Sequence, residues 1–119
     1  MTDGRGALEH VCSGQPDGAC LERYSRQAAQ HQLRALTELA RMDELPLSIT
    51  SERRREFLLY ALNEALMAWR LLLYAQQEAA GGETLLRLQG RQAKVSALVE
   101  SIERTLDAPE SVVHERAGP

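Results

Sequence analysis

The chain has 119 residues and a mass of 13.3 kDa, which is one domain's worth at about 150 residues per domain. It is 44% hydrophobic but only 4% aromatic, and its 14 basic and 17 acidic side chains leave a net charge of −3. That balance excludes disordered, collagenous and membrane-dominated chains, and it speaks against the broadly basic surface of a general nucleic-acid binder.

Apolar positions are filled mainly by Leu and Ala, and the cations are 13 arginines against the single Lys94. These are strong helix formers, whereas the β-branched Val and Ile are few. The chain is therefore expected to be all-α: a small three-helix domain, an antiparallel hairpin or bundle, with a flexible N-terminal arm and a C-terminal tail.

Residues 1–16 carry Gly4, Gly6, Gly14 and Pro16 with sparse apolar residues, and read as the flexible arm. Leu8 and Val11 suit a short turn docking on the body. No apolar run follows the N-terminus, so no secretory signal is expected, and a cytoplasmic location with Cys12 and Cys20 reduced is the default.

The helical domain is expected over residues 17–107, with Asp17 as first N-cap. A first helix is predicted over about 19–45, its inward arc formed by Leu21, Tyr24, Ala28, Ala35, Leu36, Leu39 and Met42, with Leu33 and Ala40 at its edge. The outer arc carries Arg23, Arg26, Gln30, Arg34, Thr37 and Arg41. Pro46 disfavours helix at the residue before it and stops the run. Ser48, Thr50 or Ser51 then caps a second helix, about 52–79.

That second helix is the most informative segment. Between Phe57 and Ala75 only Asn63, Glu64 and Arg70 are conventionally polar. A stripe of Glu56, Tyr60, Asn63, Met67, Arg70, Tyr74 and Gln77 repeats at steps of four and three, so it lies along one face. Opposite stand Leu58, Leu62, Ala65 and Trp69. The segment is nearly long enough to span a bilayer, but inserting Glu64 and Arg70 costs about 3 kcal/mol each. A buried core helix is expected instead, and no membrane partner.

Gly81-Gly82 breaks the chain. A third helix is predicted over about 83–106, with Leu85, Leu88, Val95, Val99, Ile102 and Leu106 at a/d spacing and Gln92 the one polar residue in that register. Gly90 costs it about 1 kcal/mol relative to alanine. Pro109 ends it, leaving residues 108–119 as the tail.

No catalytic constellation is recognisable, and the expectation is a non-enzyme without cofactor or metal. No Glu precedes a His by three residues, as carboxylate-bridged di-metal bundles require, and no phosphate loop or nucleophile elbow occurs. His10, Cys12, Cys20 and His31 do not have zinc-ligand spacing. Cys20 is expected as a small buried hydrophobe beside Leu21; His31 borders the apolar arc and should cap the core.

Two surfaces remain. Two neighbours cannot cover the whole of so apolar a helix, and large exposed apolar patches are uncommon on monomers. The second helix is therefore expected to bind a partner helix, and a homodimer is predicted. The interaction residues assigned are Leu58, Leu62, Ala65, Trp69 and Leu73, with Tyr60, Met67 and Tyr74 beside them. Within the stripe, Glu56, Asn63, Arg70 and Gln77 at heptad spacing either face solvent or form a hydrogen-bond ladder across that dimer.

The second surface is Arg23, Arg26, Arg34 and Arg41 on the first helix with Arg53, Arg54 and Arg55 opening the second. Guanidinium groups suit bidentate contact with carboxylates or phosphates. As a solvated face they would instead pair within helices, as Glu22–Arg26 and Arg34–Glu38, with Glu52 and Glu56 close to Arg53. In size, acidity, helix count and surplus apolar face the chain resembles the helical export chaperones of bacterial secretion and flagellar systems, with no motif matched residue by residue. The function expected is an adaptor- or chaperone-like interaction module; the alternative is a nucleic-acid-associated regulator using the arginine face.

Overall fold

A computed structural model describes residues 19–46, 48–79 and 81–108. The expected arm, Asp17 and nearly all of the expected tail lie outside the described residues. Within them stand three helices and no strand: α1, Ala19–Asp43; α2, Ser51–Glu78; and α3, Gly82–Asp107. The chain is all-α, as its composition predicts.

Local chemistry sets the ends. Past Asp43 the amides of Glu44 and Leu45 still bond back to Ala40, Arg41 and Met42 at 3.1–3.2 Å, and Pro46 ends that turn. Among the three capping candidates the cap of α2 is Thr50, whose Oγ1 accepts from the Arg53 amide at 3.2 Å. Gly81 and Gly82 have φ of 106° and 69°, values that side chains with a Cβ rarely adopt, so the pair makes the break between α2 and α3.

Contacts fix the topology. Tyr24 near the start of α1 packs on Tyr74 near the end of α2, with ring centroids 5.5 Å apart, while Ala35 joins a cluster with Leu58 and Ala61. On the other side Gln76 meets Gln92, and Ile102 joins Leu58. Each helix thus runs antiparallel to the one before, and α2 is the shared element. The core is two continuous groups: Cys20, Tyr24, Ala28, Ala68, Leu71, Leu72, Tyr74, Ala75, Leu88 and Val95 at one end, and Ala35, Leu58, Ala61, Ala65 and Ile102 at the other. Alanines on the buried side of α2 let neighbouring backbones approach closely. The α1 and α3 helices are tied where the Arg91 guanidinium donates to the Ser25 hydroxyl and, at 3.1 Å, to the Ser25 carbonyl.

Several expectations are corrected. Leu36 is about half exposed rather than on the core arc, and Leu33 faces outward altogether, because α1 presents a narrower arc to its neighbours than the wheel drew. Tyr74 belongs to the core and not to the solvent-facing stripe, since the first turns of α1 cover that end of α2. Cys20 is disulfide-bonded, so it is not a reduced thiol. The chain's other cysteine, Cys12, lies outside the described residues. The cytoplasmic expectation rested on the lack of a secretory signal, and the reduced thiols that followed from it are not what Cys20 shows.

Candidate functional site

Helix α2 is long and apolar enough to cross a membrane by length and composition alone. Nine of its residues are buried inside the domain instead, Leu58, Ala61, Glu64, Ala65, Ala68, Leu71, Leu72, Tyr74 and Ala75. At 100° per residue these span just over half of its circumference. The rest is open, and it is not polar. Leu59 and Leu66 are 45% and 40% exposed and Trp69 is 36% exposed, with Leu62 and Leu73 half-buried between them. Leu59, Leu62, Leu66, Trp69 and Leu73 repeat at steps of three and four, which is the spacing of a coiled-coil seam. Among the described residues no helix closes over Leu59, Leu66 or Trp69.

Of the interaction residues assigned from sequence, Leu62, Trp69 and Leu73 are on the open seam, and Tyr60 is exposed beside α1. Met67 is half-buried. Leu58, Ala65 and Tyr74 are buried in the chain's own core and face no partner; α1 and α3 cover that side. Leu59 and Leu66 belong to the surface but escape the sequence reading. Their signal was present: both continue the three-four spacing of Leu62, Trp69 and Leu73, which a search for polar stripes does not weigh.

One margin of the seam carries Glu56, Asn63, Arg70 and Gln77, all exposed. The other margin is knitted to α3. Trp69 Nε1 donates to Ser96 Oγ at 2.9 Å, holding the indole in one orientation. Gln76 donates to Gln92 Oε1 at 2.7 Å, and Gln92 Nε2 donates to the Trp69 carbonyl at 3.3 Å. The polar interruption in the α3 register is thus satisfied by α2.

The charged groups form a second cluster, between α1 and α2. Glu64, 7% exposed, is the one buried charged residue among those described. Its Oε1 lies 2.7 Å from His31 Nδ1 and 3.9 Å from an Arg34 guanidinium nitrogen. Beside it a shallow, open cleft of about 210 Å³ is bounded by Leu33, Arg34, Thr37, Glu38, Arg41 and Tyr60. Neither Glu64 nor the cleft was anticipated. A carboxyl in line with Ala61, Ala68 and Leu71 on the wheel, facing a helix with one half-apolar histidine, was the available clue.

Three of the seven arginines are engaged by carboxylates of their own chain. Arg34 leans toward Glu64, Arg41 toward Glu38 at 3.4 Å, and Arg53 toward Glu56 at 2.9 Å while lying 5.2 Å from the Phe57 ring centroid. Arg23, Arg26 and Arg55 are exposed and Arg54 is half-buried. The expected pairs Glu22–Arg26 and Arg34–Glu38 do not form; partners stand three residues away or on the next helix, where rotamers of these long side chains reach more directly. Of the zinc-ligand candidates, His31 is engaged by Glu64 and Cys20 is oxidised; His10 and Cys12 lie outside the described residues. Comparison with protein families, with curated proteins and with solved structures returns no match.

Proposed function

We propose that this chain is a small, non-catalytic helical interaction module, adaptor- or chaperone-like, whose binding surface is the open seam of α2. The observation that carries the reading is the run Leu59, Leu62, Leu66, Trp69, Leu73 on one side of α2, with Leu59, Leu66 and Trp69 exposed and Leu62 and Leu73 half-buried between them. Such a seam matches the way one amphipathic helix reads another, through anchors one turn apart. Nucleic-acid binding through the arginines is less well supported, because Arg34, Arg41 and Arg53 already have carboxylates of their own chain within 4 Å.

Photo-cross-linking tests the reading. A benzophenone side chain replacing Leu66, in the full chain expressed in cells, should give discrete adducts, and the same group replacing the exposed Lys94 on α3 should give none. Adding Leu59→Asp should abolish the products from position 66. No adduct from position 66 would remove the proposal. In the same preparation, short DNA or RNA at low salt should produce no mobility shift, whereas a phosphate-binding surface would give a shift that weakens steeply with salt.

A further inference from the structure

The margin of the seam indicates what covers it. Glu56, Asn63 and Arg70 are exposed and stand seven residues apart, so along one edge of the seam the order is acid, amide, base. That order is reversed in sign about Asn63. An antiparallel copy of α2, placed with Leu62 opposite Leu66 of the second copy, sets Leu59 opposite Trp69 in both directions. In that register the two-fold axis lies level with residue 64, and the flanking pairs Asn63–Asn63, Glu56–Arg70 and Arg70–Glu56 stand offset by two residues, about 3 Å along the helix, within reach of these side chains. A single two-fold axis thereby matches the apolar layers and both charges at once.

A parallel copy has no such match. In a parallel heptad pair this margin would face the other margin of the partner, which here is Leu58, Ala65 and Leu72, all buried inside the domain. We infer that the occupant of the seam is a second copy of this chain, α2 against α2, antiparallel, with reciprocal Glu56–Arg70 pairs and Asn63 beside the two-fold axis. This rests on the reading of the seam as a helix-binding surface. Glu56 already holds Arg53 on its own helix at 2.9 Å, so in the pair it bridges a cation of its own chain and one of the second copy. The seam covers 14 residue steps, about 21 Å of helix. The contact is at the small end of specific interfaces, at about 1,000 Å² in total, so it should dissociate measurably on dilution.

Sedimentation equilibrium on the full chain, compared among wild type, Glu56→Arg, Arg70→Glu and the double swap, tests the proposal. Wild type should be a dimer that dissociates on dilution, and each single swap should weaken it at least about tenfold by setting like charges together. The double swap should return to within about threefold of wild type, because both pairs re-form with reversed sign. Far-UV circular dichroism should be the same for all four, since both positions are exposed. A wild-type monomer at about 100 µM, single swaps without effect, or a double swap that fails to recover would each overturn it. The cross-linking result separates this failure from the failure of the broader reading. An adduct from position 66 to a different protein, with a monomeric chain, overturns the second-copy assignment alone, whereas no adduct at all overturns both.

Discussion

Glu64 shows how a single residue is tolerated against its surroundings. Placing a carboxylate among alanines and leucines is costly unless it finds a partner, and here His31 on the neighbouring helix hydrogen-bonds it at 2.7 Å while the Arg34 guanidinium, 3.9 Å away, adds an opposite charge. The pair spans the α1–α2 contact, so it fixes which residue of one helix sits beside which residue of the other; a slip along the interface would strand the carboxylate. Truncating one partner should therefore cost more than removing both. Glu64→Leu or His31→Leu alone is expected to lower stability by about 2 kcal/mol, the worth of a hydrogen bond to a charged group. The double change His31→Leu with Glu64→Leu should recover most of that, as buried pairs replaced by apolar groups often do. Urea denaturation of His31→Leu, Glu64→Leu and the double gives the coupling; additive losses would contradict the register role.

Among the elements, α3 carries a correctable weakness. Gly90 sits mid-helix, exposed, and a Cβ built there meets nothing within 4 Å. Alanine in its place should raise stability by about 1 kcal/mol, read as an upward shift of the thermal midpoint; no shift would mean that the glycine serves a contact outside the described residues. The α2 helix has the opposite character. It is held by neighbours on just over half its surface, and at the edge of the open side Trp69 and Gln76 are hydrogen-bonded to α3. The apolar seam is thus presented on a rigid element, so a partner docking there need not pay to order the helix itself.

For the molecule as a whole, the oxidation state of its cysteines is open to direct measurement. The sequence contains two, Cys20 is disulfide-bonded and no free thiol is present among the described residues. Thiol titration of chain purified without reductant and unfolded in guanidinium should find none, and two after reduction. Two reactive thiols before reduction would restore the sequence-based expectation. Helix number, helix bounds to within about two residues and the a/d register of α3 were all readable from periodicity, Pro46 and the paired glycines. The register between helices was not, because it depends on which side chains meet across an interface. His31 finding Glu64 and Tyr24 finding Tyr74 are matches between residues 33 and 50 positions apart.

The sequence by itself determined that this is an all-helical chain whose middle helix holds more apolar surface than one domain needs, since helical propensity and periodicity are local properties. Only the tertiary structure decided which part of that surplus is internal. By closing α1 and α3 over Leu58, Ala65 and Tyr74, the fold consumes much of what looked like a binding face. It leaves Leu59, Leu66 and Trp69 open, because two neighbouring helices cannot surround a third.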